Sequence, residues 1–129
     1  KAASPTTQVY TVEPAGFDDM ARSLASGRRE RNAALSGSIC DAILTPSPGE
    51  LTFPILSRIA GPGAVVTDEQ ALRAMALAFS HLRIVLEPGG AAALAAALFA
   101  EGLPDTVIAV ATGGNVDPAT FATALERFA

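Results

Sequence analysis

The chain has 129 residues, which is enough for one domain of ordinary size. Nine basic and thirteen acidic residues give a net charge of −4, and half of all residues are hydrophobic. This composition excludes intrinsic disorder, which needs low hydrophobicity, and it lacks the basic surface of a nucleic-acid-binding protein. The single cysteine excludes an internal disulfide, and together with the single histidine it excludes the usual Cys/His zinc site.

The longest apolar run without a charge, residues 91–100, is half as long as a membrane span requires. A basic start followed by an apolar core, the pattern of a signal peptide, does not occur either. We therefore expect a soluble, cytoplasmic protein that has neither a membrane nor a nucleic acid as its partner.

Strand and helix patterns alternate along the chain. Alternating or continuous apolar residues predict strands at residues 8–13, 64–66, 84–86 and 106–111. Helical spacing and capping residues predict helices at residues 18–26, 51–60, 67–82 and 91–100, and a last helix that begins at Pro118. Residues 33–48 show no clean period, and the small apolar stretch within them, residues 36–43, suits a loop packed against another element. This order predicts an α/β fold: an open, mostly parallel sheet with helices on both faces.

Ligands of such sheets bind beyond the carboxyl ends of the strands. The loops expected there follow Glu13, surround Glu87 and span residues 112–115. Both glutamates end an apolar strand and precede a proline, where a carboxylate needs a partner unless it simply faces solvent. Dinucleotide, P-loop and nucleophile-elbow signatures are missing, and Cys40 has no histidine nearby in sequence, which favours a small buried side chain over a nucleophile.

Four motifs in register resemble the C-terminal half of the threonine/serine dehydratases and serine racemases. They are residues 12–19 (VEPAGFDD), 38–42 (SICDA), 85–92 (VLEPGGAA) and 112–117 (TGGNVD). These relatives are pyridoxal-phosphate enzymes that share the fold of the tryptophan synthase β chain. The resemblance covers nearly the whole chain, and it implies that residues 1–129 are a partial domain, the C-terminal portion of the large domain of such a dehydratase.

The resemblance also implies roles for individual cofactor-binding residues. Thr112 matches the Ser or Thr whose hydroxyl bonds the pyridine nitrogen, although serine is commoner among close relatives. Gly113 and Gly114 match positions where a side chain would crowd the ring, and Ala42 matches a residue whose backbone packs on one face of it. Glu87 matches a glutamate of the cofactor pocket, and a carboxylate without direct contact to the cofactor is the alternative.

A divalent-cation site found in many relatives matches Glu13, Asp19 and the backbone carbonyl of Phe17. Two carboxylates, one carbonyl and several waters suit Mg²⁺ or Ca²⁺. The alternative is that the acidic residues Asp18 and Asp19 only stabilise the start of a helix.

In this family the cofactor-binding lysine, an asparagine and the glycine-rich phosphate loop lie in the N-terminal half, and the serine that acts on the opposite face of the substrate is also absent here. The only lysine here is Lys1, which lies too far before the first strand to match that lysine. We therefore expect no catalytic residue in this chain, no activity of the chain alone, and an unpaired sheet edge. Its expected partners are the N-terminal half of the same enzyme, a second copy of itself, and a small hydroxy amino acid.

The leading hypothesis is thus part of a lyase that eliminates water and ammonia from L-threonine or L-serine, with hydroxyaspartate and racemisation left open. The alternative is a stand-alone, non-catalytic α/β binding or scaffold module derived from the same fold.

Overall fold

The computed structural model describes residues 3–129. Lys1, the subject of one sequence prediction, lies outside the described residues. The helices and strands, in chain order, are β1 (Val12–Pro14), α1 (Asp19–Ser26), α2 (Thr52–Ile59), β2 (Ala64–Val66), α3 (Asp68–Leu77), α4 (Pro88–Phe99) and α5 (Pro118–Phe128). A short 3₁₀ turn lies at Asp41–Ile43, and a π-helical turn at Ala78–Leu82 extends α3.

Helices cover both faces of a small parallel sheet. β1 pairs with β2 in the register Val12 with Ala64 and Pro14 with Val66, and Val9 makes a single bridge to Ala60. Val12, Ala64 and Val66 share one face and pack with the alanines of α4 in the core. On the opposite face, Glu13 bonds the start of α1. The predicted α/β class, with parallel strands between helices, is confirmed.

The alanine-rich helix α4 lies at the centre of the core. It packs against α3, β1 and β2, and six of its alanines and glycines are buried: Gly89, Gly90, Ala91, Ala92, Ala95 and Ala96. A helix that is apolar all round must be buried on several sides, as the sequence predicted. Its small side chains also let neighbouring backbone approach closely.

The predicted helix caps of α3 and α5 are confirmed. The Thr67 side chain accepts the Gln70 N–H, and the Gln70 side chain accepts the Thr67 N–H, which completes a capping box. Asp117 accepts the Thr120 N–H, and Pro118 takes the first helical position.

Two predicted strands are wrong, and a third is shorter than predicted. Residues 84–86 and 106–111 carry no strand, and β1 begins at Val12 rather than at residue 8. A strand requires a neighbour to pair with, and residues 106–111 have none among the described residues; Ile108 is 91% exposed. Across residues 3–129, every helix is too short or too polar to cross a membrane.

Candidate functional site

The first turn of α4 brings the predicted ligand-binding segments together. A Cβ at Gly89 would lie 3.4 Å from Cγ2 of Ile43 and 3.7 Å from Cβ of Ala42, so the 3₁₀ turn packs directly on this glycine. A Cβ at Gly90 would collide with the backbone of Gly113 instead, at 2.7 Å from its nitrogen and 3.0 Å from its carbonyl carbon. Consecutive glycines therefore join Ala42 on one side to the Thr112–Asn115 loop on the other.

Glu87 fixes the position of the Thr112–Asn115 loop. Its backbone N–H donates to the carbonyl oxygen of Gly113 at 3.0 Å, and its Oε2 accepts the N–H of Asn115 at 3.1 Å. Glu87 occupies the N-cap position of α4, but its side chain makes no cap hydrogen bond. The carboxylate thus holds a loop rather than its own helix.

Packing within the chain explains why positions 113 and 114 carry glycine. A Cβ at Gly113 would overlap the carboxylate of Glu87, lying 2.9 Å from its Cδ, and a Cβ at Gly114 would lie 2.7 Å from the carbonyl oxygen of Val85. The resemblance implied that side chains here would crowd a cofactor ring. In the structure they would also collide with neighbouring residues of the chain itself.

Thr112 and Ala42 are both exposed, and Glu87 is half-buried. Thr112 borders a large groove together with Ile43 and Gly89, at the end where the α4 turn lies. The structure therefore brings together all five residues predicted to bind the cofactor: Ala42, Glu87, Thr112, Gly113 and Gly114.

Asp68 holds the loop that carries Ala42, a role that the sequence analysis missed. Its carboxylate accepts the Ser38 hydroxyl at 2.5 Å and the Ile39 N–H at 3.2 Å, and the Ser38 hydroxyl in turn accepts the Cys40 N–H at 3.1 Å. Asp68 lies 30 residues from Ser38, so no local pattern pairs them. The acidic residue at the start of α3 was the only available signal.

Cys40 is fully buried, as predicted. The pKa of its thiol is raised to about 11, because the effects of burial and of the charges of Asp68 and Asp41 outweigh that of a hydrogen bond with Ser38, which lowers it. The thiol is therefore protonated at neutral pH, and it packs as a small apolar group rather than as a nucleophile.

The residues predicted to bind a cation are already held by protein donors. The two carboxylate oxygens of Glu13 accept the N–H groups of Met20 and Ala21, each at 2.8 Å. Asp19 is buried and accepts the Asn32 amide at 2.6 Å and the Thr45 hydroxyl at 3.3 Å. Neither carboxylate therefore needs a cation to satisfy it, and residues 3–129 contain no cluster of three His, Cys, Asp or Glu side chains suited to a metal.

Glu13 takes the place of a side-chain cap on α1. The N-cap residue Asp18 makes no capping hydrogen bond, so the first free amides of the helix bond to Glu13 instead. Desolvation by burial raises the pKa of the Glu13 carboxyl, the amides of Met20 and Ala21 oppose that rise, and the charges of Asp19 and Asp18 add to it. The hydrogen bonds at the start of α1 therefore come from Glu13, whereas the sequence alternative had assigned the stabilisation of this helix start to Asp18 and Asp19.

Comparison with known proteins places these motifs in one family. The family model described as "Pyridoxal-phosphate dependent enzyme" matches residues 1–113. Serine racemase of Dictyostelium discoideum is 35% identical over 122 residues, which are 91% of this chain and 37% of that protein. Phenylserine dehydratase of Ralstonia pickettii is 34% identical over 95% of this chain and 38% of its own length. The crystal structure of the T.th. threonine deaminase matches at a TM-score of 0.85 and 43% identity, covering 91% of this chain and 42% of that one.

The chain spans well under half of the length of these three relatives. The matched relatives include both racemases and enzymes that release ammonia or water.

Proposed function

The chain belongs to the pyridoxal-phosphate dependent enzymes, and from that premise we propose that it forms the C-terminal part of a threonine/serine dehydratase. The proposed reaction is the elimination of water and then ammonia from a small hydroxy amino acid. The observation that carries the proposal is the junction at α4, which gathers Ala42, Glu87 and the Thr112–Asn115 loop although they are far apart in sequence.

These residues fit a flat heteroaromatic ring. Thr112 is exposed and lines the same groove as Gly89 and Ile43. Ala42 is exposed and has only a methyl side chain, which leaves backbone surface on which a ring can lie. Bound pyridoxal phosphate would supply an electron sink for cleaving bonds at the substrate's α-carbon.

Each residue has a distinct role in this proposal. Thr112 would hydrogen-bond the pyridine nitrogen of bound pyridoxal phosphate, and Ala42 would pack its backbone against one ring face. Glu87 acts indirectly by holding the loop that carries Thr112. A neutral hydroxyl does not force the ring nitrogen to stay protonated as a carboxylate would. This choice favours prompt elimination of a hydroxyl over transamination.

Thr112 variants of the complete enzyme test the assignment. Thr112→Ser keeps the hydroxyl and is expected to retain most of the activity, whereas Thr112→Val keeps the shape and is expected to lower kcat by at least about tenfold, the effect of roughly one strong hydrogen bond. Formation of 2-oxo acid from L-threonine and of D-serine from L-serine are measured side by side. Racemisation that exceeds elimination would contradict the dehydratase proposal, and an active Thr112→Val would contradict the ring contact.

We further propose that residues 1–129 alone are inactive, because the chain has no lysine after Lys1 to hold the cofactor covalently. Pyridoxal phosphate added to the chain is expected to give no stable visible band. Borohydride reduction followed by mass spectrometry serves as the check. A reduced adduct on any residue after Lys1, or turnover of L-threonine, would contradict the proposal.

A divalent cation at Glu13, Asp19 and the Phe17 carbonyl is the last part of the proposal. Each carboxylate oxygen of Glu13 keeps a lone pair beyond its amide bond, which a cation could take. Binding of Mg²⁺ or Ca²⁺ would raise the Tm with increasing concentration. The rise is expected to disappear in Glu13→Gln and to persist in the matched control Asp18→Asn. No rise with either ion would refute the site.

A further inference from the structure

The loop that carries Ala42 is held at one end by the first residue of α3. Asp68 is half-buried, and its carboxylate accepts the Ser38 hydroxyl at 2.5 Å and the Ile39 N–H at 3.2 Å. The Ser38 hydroxyl oxygen in turn accepts the Cys40 N–H at 3.1 Å. One carboxylate therefore orders three consecutive residues, which end two positions before Ala42.

The capping box of α3 is complete without Asp68. The Thr67 hydroxyl accepts the Gln70 N–H at 3.1 Å, and the Gln70 side chain accepts the Thr67 N–H at 2.8 Å. A carboxylate only accepts hydrogen bonds, so that of Asp68 can hold a hydroxyl and a main-chain N–H at the same time. An amide in its place would offer one acceptor oxygen and would turn N–H donors toward one of the two groups.

The other end of the same loop is fixed by packing on α4. The Ile43 N–H donates to the Cys40 carbonyl oxygen at 3.0 Å, and the Ile43 side chain packs on Gly89. Asp41 and Ala42 are exposed between these two anchors. The position of the Ala42 main chain is therefore set from both ends of the loop.

The other side of the candidate site is built in the same way. Glu87, at the N-cap of α4, accepts the Asn115 N–H at 3.1 Å and makes no cap hydrogen bond with its side chain. The helices α3 and α4 pack directly against each other. Acidic side chains at the starts of two adjacent helices, Asp68 and Glu87, therefore hold segments that lie 30 and 28 residues away in sequence.

We propose that Asp68 is a positioning residue for the cofactor, because its carboxylate sets where the main chain at Ala42 meets the ring face. The effect reaches the ring only through the loop, by way of Ser38 and the Ile39 N–H. Without this link the loop moves, and a ring that loses a fixed face binds less tightly and in a less uniform orientation. The inference rests on the proposed function, since it takes Ala42 as a contact of bound pyridoxal phosphate.

Asp68→Asn in the complete enzyme tests the proposal, because it keeps the shape of the side chain and replaces one acceptor oxygen by a donor. Titration of the apoenzyme with pyridoxal phosphate is expected to give a Kd at least about tenfold higher, since a hydrogen bond to a charged group is lost. The visible circular dichroism of the bound cofactor, measured at saturation, is expected to weaken. Ser38→Ala interrupts the same link from the loop side and is expected to have both effects, so the test does not depend on the folding of one variant.

Glu69→Gln is the matched control, since Glu69 is the next residue of α3, is exposed and pairs with Arg127 at 3.4 Å instead of with the loop. It removes the same charge, and the Kd for pyridoxal phosphate is expected to stay within about twofold of the wild type. Amide exchange of the apoenzyme adds a measurement that needs no cofactor. Ile39 and Cys40 are expected to exchange at least about tenfold faster in Asp68→Asn than in the control.

Cofactor affinity and visible circular dichroism that Asp68→Asn changes no more than Glu69→Gln does would overturn the proposal. So would unchanged exchange at Ile39 and Cys40. A lower Tm of the apoenzyme, with both cofactor measurements unchanged, would leave Asp68 a purely structural role and would overturn the proposal as well. A wild-type enzyme that fails to bind pyridoxal phosphate would refute the proposed function, whereas equal binding by the wild type and Asp68→Asn would refute this inference alone.

Discussion

Two regions of the molecule, a first corner at Glu13 and a second corner at Glu87, share one local sequence and use it differently. Glu13 and Glu87 each follow an apolar run and precede a proline. The turn after Pro14 directs the start of α1 back toward Glu13, whose carboxylate bonds the amides of Met20 and Ala21. Pro88 begins α4 immediately, so Glu87 reaches across to Asn115, 28 residues away. The comparison shows that a glutamate before a proline is satisfied by whichever free amides the following turn places beside it.

The largest effect is expected from a substitution that displaces the backbone near Glu87, at the second corner. Gly90→Ala would place a methyl group on the backbone of Gly113, which cannot move without displacing the whole loop. We expect the free energy of unfolding to fall by about 3 kcal/mol, the upper range for overpacking. Urea denaturation measures it.

Gly89→Ala is the matched control for this substitution. The added methyl group would make an ordinary contact with Ile43, and alanine is worth up to about 1 kcal/mol over glycine in a helix. We expect unchanged or slightly increased stability. Equal losses for the two neighbouring glycines would contradict the close approach of α4 and the loop.

The next largest loss of stability is expected from a substitution of Glu13, at the first corner. Glu13→Ala removes the acceptor of two amides at the start of α1, and we expect a loss of about 2 kcal/mol in the free energy of unfolding. The control is Asp18→Ala, since Asp18 occupies the N-cap position without capping. Its partly exposed ion pair with Arg22 predicts a change within about 0.5 kcal/mol. A larger loss for Asp18→Ala than for Glu13→Ala would reverse our assignment of the cap.

A smaller loss of stability is expected at the second corner when the Glu87 side chain is removed instead. Glu87→Ala releases the amide of Asn115, and we expect a loss of about 1 kcal/mol because this bond is half-exposed. Gly113→Ala pushes the same carboxylate aside and is expected to cost about as much. The double variant should therefore lose less than the sum of the two. Strict additivity in this double-mutant cycle would show that Glu87 does not specify glycine at position 113.

The sequence predicted those features of the fold that depend on residues close together in the chain. The capping box of Thr67 and Gln70 and the Asp117–Pro118 helix start depend on residues within one turn, so both were predictable from sequence. The burial of α4 followed from its lack of a polar face. The meeting of Ala42, Glu87 and Thr112 followed from the family resemblance, because no local pattern relates these positions.

The features that the sequence did not predict depend on residues that are far apart in the chain. Asp68 and Ser38 are 30 residues apart, and Asn32 and Asp19 are 13 apart, so neither pair has a spacing that a helix or hairpin would reveal. Residues 106–111 have the composition of a buried strand, but a strand exists only where another lies beside it. Among residues 3–129 no strand lies beside them, and Ile108 is 91% exposed.

The smallest expected effect is a difference between Glu13 and Asp117 in how their contributions to stability depend on pH. Burial raises the pKa of Glu13 above its ordinary value of 4.5, so the folded state binds this proton more tightly than the unfolded chain. The resulting stability is fully present below pH 4.5 and is lost as pH rises through the folded pKa. Hydrogen bonds from Thr120 lower the pKa of the Asp117 carboxyl below 3.8, so its contribution is instead lost as pH falls through that lower value. Urea denaturation of Glu13→Gln and Asp117→Asn beside the wild type, at pH values from about 3 to 7, should give differences of opposite slope. Parallel slopes would mean that Glu13 is no more desolvated than Asp117, an exposed helix cap.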